Sequence, residues 1–219
     1  MKNYLMLACT ILQDEIEAAL KEAGTRIPTL FIPSELHLFP DNLRDYLQKT
    51  IDNIYNVDVI ILPMGRCGNG TLGLKSKRST LILPKCEDCV NMLLSRDDLK
   101  AVKRPAYSYF LTDGWLREKN AINNEYERTL EKYGRERAEM VMKMLYDNYQ
   151  HFAFVDTGCY CLAEAEKKIQ PLANLVEVSI TKHPGPCGVL KKMMRLEFDD
   201  NFIVVPPGTA IAEEHFLMK

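Results

Sequence analysis

Val57-Asp58-Val59-Ile60-Ile61-Leu62-Pro63 runs straight into the turn Gly65-Arg66-Cys67-Gly68-Asn69-Gly70. A short, almost uninterrupted apolar run bounded by turn residues reads as a strand buried on both faces, the kind found in parallel sheets. Reading outward in both directions, the same unit recurs. Upstream, Leu43, Tyr46, Leu47, Ile51 and Ile54 form one apolar helical face after Pro40, and Ile27 to Ile32 reads as a strand before it. At the start of the chain, Tyr4 to Cys9 is a strand, followed by Leu12, Ile16, Ala19, Leu20 and Ala23 at helical spacing. Thr10 and Gln13 have the spacing of a capping box, and Gly24 ends that helix.

Downstream, strands are expected at Thr80 to Leu83, Tyr107 to Thr112, His151 to Asp156, Val176 to Ile180 and Phe202 to Val205. Helices are expected through Cys89, Met92, Leu93 and Leu94, from about Leu162 to Ile169, and near Leu190. Two long charged helices, one through Trp115, Ile122, Tyr126, Leu130 and Tyr133 and one through Ala138, Val141 and Leu145, read as an insertion or cap at about 113–149. The alternation predicts an α/β fold: a mainly parallel sheet with helices on both faces, Rossmann-like and three-layered. The 219 residues fit a single α/β domain, with two halves at 1–105 and 106–219 as the other division.

Composition excludes several classes. With 28 basic and 30 acidic residues the net charge is −2, which gives no footprint for nucleic acid or an anionic membrane. No run of 18 apolar residues exists, and Met1-Lys2-Asn3 opens into the first strand without the order of a secretory signal. A cytoplasmic, reducing location is therefore expected, where clustered thiols serve more often as metal ligands or reactive groups than as disulfides.

There are seven cysteines, and each falls just after an expected strand: Cys9, Cys67, Cys86 and Cys89, Cys159 and Cys161, and Cys187. Parallel sheets gather ligands at the carboxyl ends of their strands, so a thiol-rich edge is expected. Three readings stay open. Cys86-x-x-Cys89 has a spacing that lets two sulfurs reach one ion, with further thiolates completing a zinc, iron or iron–sulfur site. A redox dithiol is the second, because Cys9 and Cys86 would lie at helix N-termini, where thiol pKa values fall. Inert thiols in tight turns are the third.

Other groups carry less. Gly65, Gly68, Asn69 and Gly70 have the order GxxGxG, which matches neither the dinucleotide fingerprint nor the P-loop, though these residues could let a cofactor approach the backbone. Asp156-Thr157-Gly158 looks like the triplet of aspartic proteases, but a single copy in an α/β pattern does not make that enzyme. Asp156 is expected at a strand end facing the crevice, and His183, in one rigid loop with Cys187, is a candidate ligand or base. His37 and His215 read as solvated surface residues, and the methionines at 140, 142, 144, 193 and 194 as packing. Pro206-Pro207-Gly208-Thr209 reads as a plain rigid turn first, with amides that hold an anion as the lesser reading.

Several motifs together resemble an uncharacterised prokaryotic family, domain of unknown function 1638. They are Ala8-Cys9, Arg66-Cys67-Gly68-Asn69-Gly70-Thr71, Asp88-Cys89 with Leu93-Leu94-Ser95, Leu111-Thr112-Asp113-Gly114-Trp115, Asp156-Thr157-Gly158 and Val205-Pro206-Pro207-Gly208. Members are often encoded near corrinoid-dependent methyltransferases. In the family a His often precedes the Asp-Cys pair, where this chain has Glu87 and offers Cys86 instead. The resemblance puts weight on Cys9, Cys67 and Cys89 as ligands, with Cys86 joining them, and implies a role in or beside corrinoid-linked methyl metabolism. A zinc ion so held could activate a thiol or water for methyl transfer, and a cluster could supply electrons to a corrinoid. A corrinoid protein or methyltransferase is then the implied partner, with a homodimer also open. A non-catalytic corrinoid or small-molecule carrier with structural cysteines is the alternative, although no Asp-x-His-x-x-Gly string is present to ligate a corrinoid.

Overall fold

The computed structural model describes residues 2–217. The chain forms two compact units: Lys103–Gly185 make the second, and the segment from Pro186 onward rejoins the first. The fold is mixed α/β with mostly parallel pairing, as the alternation of periods requires.

In the first unit, β1 (Tyr4–Cys9), β2 (Thr29–Ile32), β3 (Val59–Ile61), β4 (Thr80–Pro84) and β8 (Phe202–Val205) form one sheet in the order β2-β1-β3-β4-β8. The first four are parallel, while β8 runs antiparallel to β4. Between them, α1 (Gln13–Ala23) links β1 to β2 and α2 (Pro40–Asp52) links β2 to β3. The helices α3 (Cys89–Leu94) and α8 (Gly188–Met194) follow β4 and precede β8.

Alternation along the strands splits the side chains between two faces. Leu7, Ile60, Leu62, Leu81, Leu83, Ile203 and Val205 build one core with Leu43, Leu47 and Ile51 of α2. Met6, Ala8 and Ile61 point the other way and are equally buried. There α1, through Ile16 and Ala19, and α8, through Val189, Leu190 and Met193, bury their apolar stripes and pack on one another. Burying a Leu or Ile side chain is worth roughly 1.5 to 3 kcal/mol, so burial on these two faces holds the sheet between its helical layers.

In the second unit, β5 (Ser108–Leu111), β6 (His151–Asp156) and β7 (Ser179–Pro184) are parallel and adjacent in chain order. The short α4 (Asp113–Leu116), the pair α5 (Ile122–Tyr133) and α6 (Arg135–Tyr146), and α7 (Leu162–Val176) connect them, so Trp115 lies in a helix of its own and not in the long helix expected through it. Ile122, Met142, Tyr146, Ala165, Ile169 and Leu172 form a core with Leu111, Phe152 and Phe154 of the sheet. Met142 is buried, but Met140 and Met144 lie exposed on α6, so only part of that methionine group is packing.

Two local expectations change, and the 206–209 segment is the plain turn expected. The chain after Cys9 makes a 3-10 turn over Thr10–Leu12 before α1, and neither helix start carries a side-chain cap, so the capping-box spacing is not used as one. Val176 belongs to α7, which runs through Pro171, and β7 begins only at Ser179 and extends to Pro184. The amides of the 206–209 turn bond inward, Gly208 N to Ser76 O at 2.8 Å and Thr209 N to Pro206 O at 3.2 Å. No helix among the described residues is long and apolar enough to cross a membrane.

The return of the chain is locked by a glycine. Gly188 N donates to Ser95 O at 2.7 Å, and a Cβ at Gly188 would lie 1.2 Å from Arg96 O. Gly24, the positive-φ cap of α1, has nothing within 4 Å of its missing Cβ. Gly188→Ala is expected to cost more than about 4 kcal/mol and Gly24→Ala about 1 to 2 kcal/mol, read from urea unfolding. Equal losses would disprove the lock.

Candidate functional site

Because β1, β2, β3 and β4 are parallel, their carboxyl ends emerge at one edge. β1 has β2 on one side and β3 on the other, so the chain reverses its direction of winding between β1 and β3, and the connecting helices leave on opposite faces. Such a switch point opens a crevice. Cys9 is the last residue of β1 and Cys67 follows β3, so both flank that crevice.

The loop after β3 is fastened to the loop after β4 by backbone alone. Arg66 N donates to Cys86 O and Cys67 N to Glu87 O, both at 2.8 Å. This is possible because residue 65 is glycine: a Cβ there would lie 2.4 Å from Cys86 O and 2.8 Å from Asp88 N. Thr71 Oγ1 closes the loop on Gly65 O at 3.0 Å. Cys67, Gly68 and Asn69 take positive φ values of 48°, 61° and 78° in succession. A left-handed conformation costs a non-glycine residue roughly 1 to 2 kcal/mol, so the fastening on either side is what holds Cys67 in place. Arg66 reinforces the turn, bonding Asn69 Oδ1 through Nε at 2.6 Å and Glu213 through a terminal nitrogen at 2.7 Å. A Cβ at Gly70 would strike Leu43 Cδ2 at 2.6 Å. The close approaches of Gly65 and Gly70 are thus made to the protein itself.

Past Glu87, Asp88 caps α3 by accepting from Val90 N at 3.0 Å and Asn91 N at 3.3 Å, and Cys89 is the first residue of that helix. Cys9 and Cys86 are buried, Cys67 and Cys89 half-buried. The four thiols are close enough to perturb one another. Burial pushes the Cys67 thiol up to about 12, with the nearby Cys9 and Asp88 adding repulsion and only the Gly65 backbone opposing. Cys89 is held well above its ordinary value by burial, then by Cys67, Asp88, Cys9 and Cys86. Among the described residues, no group of three or more His, Cys, Asp or Glu side chains stands placed to share one metal ion.

His37 is the residue that sequence reasoning set aside. It lies in the 3-10 turn Ser34–Leu38 after β2, half-buried, with Nδ1 3.9 Å from Cys9 Sγ and 3.2 Å from Ser34 O. Burial holds its pKa below the ordinary range, against the Ser34 carbonyl. The signal that could have found it is its place after a parallel strand, shared with the cysteines. His215 is also half-buried, its Nδ1 accepting from Ala212 N at 3.0 Å.

The remaining candidates sit elsewhere. Asp156 and His183 belong to the second unit, where Asp156 ends β6, exposed, and accepts from Gly158 N at 3.2 Å as a turn-forming carboxylate. His183 pairs in register with Val155, faces Thr181 Oγ1 at 3.2 Å and lies 5.9 Å from the Phe110 ring. Cys159 and Cys161 follow in the same unit, whereas Cys187 falls in the first, buried before α8.

Residues 31–194, three quarters of the chain, match the family described as Protein of unknown function (DUF1638). The chain belongs to that family. The matched stretch contains His37, Cys67, Cys86 and Cys89, and Cys9 precedes it. Neither a curated protein nor a solved structure matches this DUF1638 member.

Burial holds the Cys67 thiol far above its ordinary value, which favours the protonated, weakly nucleophilic form at pH 7. Iodoacetamide at pH 8 is expected to label exposed Cys161 first, with Cys67 and Cys89 reacting far more slowly until the pH passes well above 9. Peptide mass spectrometry of timed samples checks this in metal-free protein. Fast labelling of Cys67 or Cys89 at pH 7 would restore the redox reading.

Proposed function

We propose that this chain is a soft-metal protein whose site is built by Cys9, Cys67, Cys86 and Cys89, taking zinc, iron or an iron–sulfur cluster. The observation that carries the reading is the gathering of four thiols from the carboxyl ends of three adjacent parallel strands. Thiolates suit these metals in type and number. Their surroundings also favour a cation. Burial, with repulsion from neighbouring thiols and Asp88 added to it, holds Cys67 and Cys89 protonated, whereas a bound cation would turn that repulsion into attraction and release protons as it loads.

Bound there, zinc would supply a Lewis acid and a cluster would supply electron transfer. The chain's own part is to hold the sulfurs on short, backbone-fastened loops and to exclude water from Cys9 and Cys86. In or beside corrinoid-linked methyl metabolism, the context that the family resemblance implies, either chemistry has a use: methyl transfer for zinc, corrinoid reduction for a cluster. The sulfurs have to draw closer than they now stand to share one ion, so loading should tighten the loops at residues 9–12, 65–71 and 85–89.

Anaerobically purified protein, reconstituted with zinc in one sample and with iron plus sulfide in another, is expected to retain about one ion or one cluster per chain. Cys67→Ser and Cys89→Ser should each lower retention severalfold, and the three loops should gain hydrogen-exchange protection in the loaded wild type. Retention below about 0.2 metal per chain in both wild-type samples would overturn the reading.

A further inference from the structure

The second unit carries thiols of its own past the carboxyl end of β6. After Asp156 the chain makes two tight turns, with Gly158 N donating to Asp156 Oδ1 at 3.2 Å and Cys159 N to Thr157 Oγ1 at 3.4 Å, and Gly158 takes a φ of 71°. The Tyr160 hydroxyl then donates to Val155 O at 2.6 Å, which pins the residue between Cys159 and Cys161 to the end of the sheet. Two residues of fully extended chain span about 7 Å, and a disulfide takes Cα atoms about 4.4 to 6.8 Å apart. The chain bends over 158–160, so the separation of Cys159 and Cys161 falls short of the extended limit and towards the range a disulfide accepts.

The two sulfurs are not equivalent. Among the described residues Cys161 is the one exposed cysteine, and at the N-cap of α7 its side chain makes no capping hydrogen bond. Cys159 is half-buried, with Sγ donating to Thr157 O at 3.6 Å. One thiol is thus open to a reagent while the other is held in the same short loop, the division between an attacking and a resolving thiol. We propose that Cys159-Tyr160-Cys161 is a dithiol that exchanges with small-molecule disulfides, Cys161 attacking and Cys159 resolving. The Cys161 sulfur, having given up its proton, bonds to one sulfur of the small disulfide; the S–S bond of that disulfide breaks, and the first small thiolate leaves and takes up a proton. Cys159 then loses its proton and attacks the Cys161 sulfur, and the second small thiolate leaves and is protonated in turn. Two electrons pass from the protein dithiol to the small disulfide, which ends as two thiols, while Cys159 and Cys161 end joined by an S–S bond. The step uses residues of the second unit alone and stands apart from the reading of the four thiols of the first.

The probe is glutathione disulfide, applied anaerobically to wild type, Cys159→Ser and Cys161→Ser, with urea midpoints confirming that each is folded. Mass spectrometry of acid-quenched protein and of its peptides reads the products. Wild type is expected to form the Cys159–Cys161 disulfide without a lasting glutathione adduct, Cys159→Ser to keep one glutathione on Cys161, and Cys161→Ser to form neither product on the same timescale. At a fixed ratio of reduced to oxidised glutathione, the folded protein should favour the Cys159–Cys161 disulfide at least about 10-fold more than the same protein unfolded in urea. An adduct on wild-type Cys161 as abundant and lasting as in Cys159→Ser would overturn the proposal, because Cys159 then does not resolve. Pairing of wild-type Cys161 with any other cysteine would overturn it too. So would equal disulfide formation in the folded and unfolded chains, since the loop would then contribute nothing.

Discussion

The parallel alignment of β1, β2, β3 and β4 is the constraint from which the site follows. Parallel strands joined by crossovers send every carboxyl end to one edge, and residues far apart in sequence meet there without any pairing of their own. Cys9 and Cys67 are separated by α1, β2, α2 and β3, and Cys67 and Cys86 by β4, yet Cys9 ends β1, Cys67 lies in the loop after β3 and Cys86 in the loop after β4. The antiparallel β8 supplies the counterexample: its carboxyl end points to the opposite edge, and the segment after it, Pro206-Pro207-Gly208, brings neither Cys nor His to the thiols. Alignment alone would leave the loops splayed. The absence of a side chain at Gly65 lets the β3 and β4 loops bond through their backbones, and this fixes Cys67 and Cys86 relative to one another to within the tolerance of two hydrogen bonds.

That fastening decides the chemistry as well as the geometry. Thiols in a loose, hydrated loop would titrate near their ordinary value and act singly. Here burial is the largest cause of the upward shifts at Cys67 and Cys89, and neighbouring thiols and Asp88 add to it. A helix N-terminus by itself lowers a thiol pKa, and the sequence suggests Cys86 for that place; Cys89 is instead the first residue of α3, where one short helix cannot offset desolvation together with repulsion from Cys67, Asp88, Cys9 and Cys86. These effects act against thiolate formation at Cys67 and Cys89, while the Cys86-x-x-Cys89 spacing is compatible with a metal site and with a dithiol.

Much of the fold was legible because hydrophobic period survives in single sequences. Tyr4–Cys9, His151–Asp156 and Phe202–Val205 are strands with the bounds their apolar runs predict. The misplaced stretch at Val176 has a physical cause: α7 continues through Pro171, because the stripe Ala165, Ile169, Leu172 and Ala173 is buried in the second core and that packing outweighs one lost backbone bond. The four ligand candidates were legible from their place after strands. His37 was not, because a single histidine in a polar loop has no periodic signature, and its burial arises only when the turn after β2 folds against the end of β1. The glycines of 65–70 were legible as sites of close approach, but sequence could not say that the approaching group is the chain's own backbone.

The placement of Cys89 shows how the two segments of the first unit depend on each other. A six-residue helix is far too short to be stable on its own, since nucleation is costly and few bonds follow it. α3 is therefore held from outside. At its start Asp88 takes up two orphan amides, and at its end Leu93 O accepts from Cys187 N at 3.0 Å, Ser95 O from Gly188 N at 2.7 Å, and Ser95 Oγ from Val189 N at 3.2 Å. The clamp comes from a part of the chain nearly a hundred residues later, after the entire second unit has been made. Leu93-Leu94-Ser95 and Cys187-Gly188 thus set the axis of the helix whose first residue is Cys89, with Cys187 contributing its backbone N–H to the join.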